Sequence, residues 1–181
     1  MDLEEWRIAT VDGWLAGIAP GSRVLELGAG TGQMAKHVQK LGYSVTAIDL
    51  SPGNVAAMVD LGVDATEADF ADLPFADGTY PAAFAINSLL HVPRDELPDV
   101  YAEIRRVLTV GASLMVVVWG GEDSEGPYTE DWLDPPRFFN FFTDEALWTQ
   151  PTPGFEKRGL DVLEDAVSKK LRSQVLTLEA V

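Results

Sequence analysis

Residues Val24 to Gln33 read Val-Leu-Glu-Leu-Gly-Ala-Gly-Thr-Gly-Gln, and no other stretch restricts the fold as tightly. An apolar run carrying one acid, Glu26, meets glycines at the alternate positions 28, 30 and 32, and a helix-compatible stretch from Thr31 to Leu41 follows. A short apolar run bounded by glycine reads as a buried strand. Such a strand, turning through glycines into a helix start, brings bare backbone and unpaired N–H groups up to a ligand. That arrangement holds adenosine-containing cofactors at the edge of a parallel sheet.

The rest of the chain repeats the strand–helix alternation. Leu3 to Ile18 has apolar residues at three- and four-residue intervals, an amphipathic helix before the first strand, Ser22 to Leu27. Ser44 to Asp49 is a second strand ending in an acid, and Ser51-Pro52 then caps and opens a helix that runs to about Leu61. Val63 to Ala68 is a third strand, Asp69 to Gly78 a loop, and Pro81 to Asn87 a fourth strand. A helix over Asp95 to Leu108 precedes a continuous apolar fifth strand, Ala112 to Trp119. Gly120 to Asn140 is acidic, aromatic and rich in Pro and Gly, an irregular insertion placed like a lid. Thr143 to Thr149 is a short capped helix. Phe155 to Leu163 and Leu171 to Leu178 are closing strands joined by a turn at Glu164 to Lys170.

Five alternations give a parallel sheet with helices on both faces, and the last two strands, lacking a helix between them, pair as an antiparallel hairpin at one edge. The expected fold is therefore an α/β doubly wound sheet of about seven strands. With 181 residues, the simplest organisation is one domain spanning 1–181, with an N-terminal helix over 1–19 and an insertion over 120–142.

Composition narrows the function. The net charge of −16 argues against a nucleic-acid substrate, whose partners normally display a basic surface. The absence of cysteine excludes disulfides, thiolate metal sites and thiol nucleophiles, and His37 and His91 are too few for a histidine-rich metal centre, so no metal is expected. The acidic N-terminus lacks the layout of a signal peptide, and the strongest apolar run is far below the roughly 20 residues needed to cross a bilayer. A cytoplasmic protein with no membrane partner is the expectation.

In open sheets of this type ligands bind at the carboxyl ends of the strands. Glu26, Asp49, Asp69 and Asn87 stand in or just after strands one to four. A nicotinamide fingerprint would need glycine where Gln33 stands, which disfavours an oxidoreductase. The run Glu26 to Gly32, with an acid two residues before alternating glycines, resembles instead the first motif of class I S-adenosylmethionine-dependent methyltransferases. Ala-Ile-Asp-Leu-Ser (Ala47 to Ser51) is similar to the family's second motif, Glu67 to Phe75 to the motif after strand three, Asn87 to Val92 to the fourth motif, and Glu103 to Ala112 to the helix and turn before strand five. The similarity covers about residues 20 to 120. Pro81 and Val110-Gly111-Ala112 depart from the family pattern, at positions outside its cofactor contacts.

The resemblance implies a Rossmann-like fold and S-adenosyl-L-methionine as cofactor, held by Glu26, Gly28, Ala29, Gly30, Gly32, Asp49, Leu50, Asp69, Phe70 and Asn87. Asp49 would accept from the ribose diol and Asp69 from the adenine amine. Phe70 would offer a backbone donor or an apolar wall, and Glu26 would support the turn or face the cationic methionine end. His91, just beyond strand four, is the candidate catalytic base and a candidate substrate contact; packing in the loop before Asp95 is its alternative role. Trp6, Trp14, Trp119 and Phe138 are candidate acceptor-binding residues, with Tyr128, Trp132 and Phe139 as further walls and core packing as the competing role. His37 is expected on the surface, Asp72 and Asp77 as loop-solvating acids, and Arg105 and Arg106 as partners of nearby acids. The function so implied is methyl transfer to a small-molecule acceptor at O, N or C. The alternative is a cofactor-binding protein that does not transfer methyl groups, a scaffold or partner-binding module. The sequence leaves the oligomeric state open.

Overall fold

The computed structural model describes residues 3–131, 133–163 and 171–181; Trp132 and the turn expected over 164–170 lie outside them. The sheet is built from β1 (Arg23–Leu27), β2 (Ser44–Asp49), β3 (Asp64–Glu67), β4 (Tyr80–Ile86), β5 (Leu108–Gly120), β8 (Phe155–Leu163) and β9 (Arg172–Ala180), in the order β3-β2-β1-β4-β5-β9-β8. The first five strands are parallel, and β9 runs antiparallel to both β5 and β8. The strand order reverses between β1 and β4, so the loops leaving these neighbours diverge and open a crevice.

Helices α1 (Leu3–Leu15), α2 (Gln33–Lys40), α3 (Pro52–Asp60), α4 (Leu97–Val107) and α5 (Asp144–Thr149) cover the sheet. Ser51 caps α3 by accepting from the Asn54 N–H, with Pro52 in the first turn where no donor is needed. Thr143 caps α5 in the same way through Ala146.

Alternation along the strands sorts the core into two layers. Val24, Val45, Ala47, Ala82 and Phe84 face α1, α2 and α3, where Trp6, Val11, Leu15, Val38 and Met58 meet them. Leu25, Leu27, Ile48 and Ala83 face the opposite way, onto Val100, Tyr101 and Ile104 of α4. Burying each such side chain is worth about 1.5–3 kcal/mol relative to leaving it in water. Glu26 follows the parity of Val24, which puts it on the α1–α2 side.

Three expectations differ from the structure. β5 begins at Leu108, not Ala112, because the chain leaves α4 directly in extended conformation. Pro81 does not open β4 but is its second residue, at a register shift against β5 between Tyr80 and Ala82, where its missing N–H interrupts no ladder bond. The segment expected to be irregular contains a hairpin, β6 (Ser124–Pro127) paired antiparallel with β7 (Phe138–Phe141). Among the described residues no helix is long and apolar enough to cross a membrane.

Candidate active site

The glycine turn is anchored before any ligand is considered. Gly28 and Ala29 both donate backbone N–H bonds to the Ile48 carbonyl at the end of β2, each at 2.9 Å. Gly28 has φ +71°, and a Cβ there would lie 2.4 Å from the Ser88 Cβ and 3.1 Å from the Phe70 ring. Only glycine lets the turn pass beneath these two neighbours. At Gly30, φ is +56° and a Cβ would meet nothing within 4 Å, so this glycine faces open space. Gly32 precedes α2 and packs against Met58 of α3.

Asp49 organises the turn from its far side. Its Oδ2 accepts from the Gly30 N–H at 2.8 Å, and its Oδ1 accepts from the Ser51 N–H at 2.9 Å and from Asn54 Nδ2 at 3.0 Å. A carboxylate offers roughly four lone-pair sites, so about one is left for a further donor. Neither the Gly30 nor the Asn54 contact was expected from sequence.

A cavity of about 620 Å³ opens beside the turn, between α1 and α2, lined by Glu26, Gly28, Ala29, Gly30, Asn87 and, from the helices, Arg7, Gln33 and His37 among others. Glu26 is buried, and its Oε2 has no hydrogen-bond partner. Burial pushes its carboxyl up to about 8, with Asp49 adding to the effect and the Ala35 N–H opposing it. Asn87, at the end of β4, has φ +53°, a strained value for a non-glycine residue, and both its Oδ1 and Nδ2 are buried without partners. Neighbouring Ser88 donates to the Leu27 carbonyl at 2.7 Å and ties the two loops of the crevice together. His37, expected as a surface residue, lines the cavity and pairs with Asp12 at 2.7 Å.

A second cavity of about 370 Å³ lies beyond Asp49, lined by Leu50, Glu67, Ala68, Asp69, Asp72 and Pro74. Asp69 Oδ1 accepts from the Ala71 N–H at 3.0 Å, and Leu50 is 67% exposed at the rim. The loop that follows is braced from α4. Glu103 accepts from the Leu73 N–H, and Arg106 donates to the carbonyls of Leu73 and Phe75 while pairing with Glu103 and Asp77. Asp77 is thus an ion-pair partner and not merely a solvating acid. Arg105 caps the end of α4 by donating to the carbonyls of Leu108 and Val181.

The aromatic candidates divide between the two faces of the sheet. Trp6 and Trp14 belong to the α1 layer and do not line the cavity; Trp6 is buried in that layer, and the Trp14 indole donates to Ser113 Oγ at 2.8 Å and sits edge-on to Phe84. Trp119 stacks on Phe139 with 6.1 Å between centroids, and Tyr128 packs on Phe139 and Phe141. His91 lies in a 3-10 turn (Leu89–His91), with its Nδ1 2.8 Å from the carbonyl oxygen of half-buried Phe138. Its pKa is lowered, chiefly by burial and further by Arg137, against opposing contributions from the Phe138 carbonyl and Asp131. No short-range sequence pattern announced this contact, because 47 residues separate its partners.

Comparison with known proteins agrees with this geometry. A family described as "Methyltransferase domain" matches residues 24–111. Sterol methyltransferase-like 3 of Botryococcus braunii is 39% identical over 119 residues, which is 61% of this chain and 29% of that protein, so the chain spans under a third of this relative's length. Among solved structures, a SAM-dependent methyltransferase from Methanosarcina mazei has TM-score 0.81 at 20% identity, covering 95% of this chain and 97% of the other. The [4+2]-cyclase SpnF has TM-score 0.78 at 21% identity, covering 96% and 80%. Residues 24–111 thus match a methyltransferase domain, and the chain as a whole shares its fold with solved S-adenosylmethionine-dependent methyltransferases.

Proposed function

We propose that the chain binds S-adenosyl-L-methionine across the turn at Gly28 to Gly32 and transfers its methyl group to a small-molecule acceptor at O, N or C. The observation that carries this reading is the group of buried, unpartnered polar atoms on one cavity wall, Glu26 Oε2 and both amide atoms of Asn87. Each such atom costs about 1–3 kcal/mol until something pairs with it. An amino-acid head supplies the donors and acceptors they lack.

The residues fit the rest of the cofactor as well. Glu26 would take the ammonium, Asp49 one ribose hydroxyl, and Asp69, with Leu50 and Phe70, the adenine. The bound sulfonium supplies a methyl group activated for in-line displacement. Orientation accounts for much of the acceleration of such a reaction, and holding the glycine turn and the strand ends rigid provides it. His91 is proposed as the base where the acceptor must lose a proton. The single-domain organisation over 1–181, with the 120–142 segment, Trp119 and Phe138 on the acceptor side, belongs to the same proposal, whereas Trp6 and Trp14 pack in the α1 layer and are left out of it. A net charge of −16 favours a small molecule over a nucleic acid.

Calorimetric titration with S-adenosylmethionine and S-adenosylhomocysteine tests it. One site per chain is expected, and Asp49→Ala should weaken binding roughly 100-fold, because it releases the Gly30 amide as well as the ribose. Absence of binding at millimolar cofactor overturns the reading. A second reading, cofactor binding without methyl transfer, is favoured by the structural likeness to SpnF, a [4+2]-cyclase. Tight binding with no methylated product across a broad acceptor panel would select it.

A further inference from the structure

Strand β7 is stitched to the loop after β4 by three of its four residues. The Phe138 carbonyl meets His91 Nδ1 at 2.8 Å. Asn140 accepts from Arg94 Nε at 2.7 Å and donates to the Val92 carbonyl at 3.3 Å. The Phe141 carbonyl accepts from Arg94 Nη2. Arg94 also reaches the other strand and the residue before it: its backbone N–H donates to Glu125 at 2.9 Å, and its Nη2 pairs with Asp123. Its guanidinium lies over the Phe142 ring at 4.4 Å. One side chain thus fixes how far β7 slides along the loop that carries His91.

Phe138 stands opposite Pro127, one step from the pair in which the Tyr128 N–H donates to the Arg137 carbonyl at 3.0 Å; Pro127–Phe138 is therefore a non-hydrogen-bonded pair, and the Phe138 carbonyl points away from β6. That carbonyl takes the imidazole instead. A carbonyl oxygen only accepts, so the nitrogen it meets must carry a hydrogen. The groups facing His91 are Arg137 and Asp131, themselves locked as a two-pronged pair at 2.8 and 2.9 Å, and the Phe139 ring 4.5 Å away. Burial in this setting favours the neutral ring, which has one proton to place.

We propose that the β6–β7 hairpin sets the tautomer of His91, fixing its one proton on Nδ1 and leaving Nε2 as the lone-pair acceptor for a substrate proton, and that Arg94 is the positioning residue that holds the hairpin in the register this requires. The inference rests on the methyl-transfer reading for its use, but not for its measurement. During transfer a bond forms between the acceptor atom and the methyl carbon, and the carbon–sulfur bond breaks with its electron pair going to sulfur. The acceptor's proton passes to Nε2, giving an imidazolium whose second hydrogen bond is already made. Moving the proton to Nε2 would leave the Nδ1 lone pair against the Phe138 carbonyl oxygen, so the hairpin selects one nitrogen for the chemistry.

The chain has two histidines, so ¹⁵N-labelled His37→Gln protein reports on His91 alone. Long-range ¹H–¹⁵N spectra should show a pyrrole-type Nδ1 and a pyridine-type Nε2. In Arg94→Ala, both nitrogens should move toward the averaged shifts of exchanging tautomers. If that variant loses the parent's far-UV circular dichroism, Arg94→Lys takes its place, since lysine lacks the fork that reaches Asn140 and Phe141 together, and the same movement is expected. An Nε2–H tautomer or averaged shifts in the parent overturn the proposal. An unchanged signature in the folded Arg94 variant overturns the role of Arg94. Calorimetry with S-adenosylhomocysteine on the unsubstituted protein, in which His37 still lines the cavity, separates the outcomes: no binding overturns the methyl-transfer reading, whatever the tautomer.

Discussion

The two faces of the sheet meet the crevice in opposite states. On the α1–α2 face, Glu26 and Asn87 present buried polar atoms with no partner to an open cavity. On the α4 face, the hairpin polar groups are largely engaged, through Arg94, Asn140 and the Arg137–Asp131 pair, and the rings of Trp119, Tyr128, Phe139 and Phe141 fill one another's space. A wall whose carboxyl and amide await a ligand and a roof whose ion pairs and carbonyls are already engaged, the Trp119 indole N–H excepted, have different jobs. The first is built to gain free energy on binding, whereas the second is built to keep its geometry whether or not anything binds.

Substitutions can break this contrast, and the largest effects fall at the turn. Gly28→Ala forces a Cβ into Ser88 and Phe70 at a positive φ and should cost about 2–4 kcal/mol in urea denaturation. Gly30→Ala, with nothing in its way, should cost only about 1 kcal/mol while cutting S-adenosylhomocysteine affinity at least roughly 10-fold. Equal stability losses at the two sites would mean that Gly30 does not face the ligand.

Glu26 gives the next effect, with a definite pH dependence. Between its ordinary value near 4.5 and its folded value of about 8, the folded protein keeps a proton that the unfolded chain has lost. Its contribution to stability therefore falls as pH rises through that window and levels off above it. Glu26→Gln should remove that slope and stabilise the free protein by about 1–3 kcal/mol at pH 8, while weakening S-adenosylhomocysteine binding. In the parent, binding the ammonium should release a proton below pH 8, measurable as a dependence of the calorimetric heat on the buffer's ionisation enthalpy. A Glu26→Gln protein no more stable at pH 8 than its parent would count against a wall that awaits a ligand.

The smallest effect is expected at Arg106, which braces the loop carrying Asp69 and Phe70 from outside the site. Arg106→Ala should weaken cofactor binding about 3- to 10-fold through loosening of that loop. Binding of S-adenosylhomocysteine and of adenosine should weaken alike, because only the adenine end is released.

The two regions also differ in how well the sequence announced them. The strand–glycine–helix unit, the acids at the strand ends and the antiparallel closing pair rest on local signals, namely periodicity, caps and glycine placement, and the structure has them within a few residues. The hairpin was invisible to such signals. Ser124-Glu-Gly-Pro127 is a poor strand by propensity, and it pairs because distant Arg94 and the aromatic rings hold it there. The same holds for His37 in the cavity and Asp77 on Arg106, whose partners lie 25 and 29 residues away in sequence.

Leu50 has a consequence of its own. It is an aliphatic side chain kept two-thirds exposed at the rim of the second cavity, beside a carboxylate that is already three-quarters occupied by Gly30, Ser51 and Asn54. A flat heteroaromatic ring lying there would strip water from Leu50, and removal of apolar surface from water lowers the heat capacity of the complex. Adenosine alone should therefore bind with a negative heat-capacity change, and Leu50→Ser should shrink it. The hydrophobic part of cofactor recognition would then be a calorimetric quantity, readable apart from every hydrogen bond at the turn.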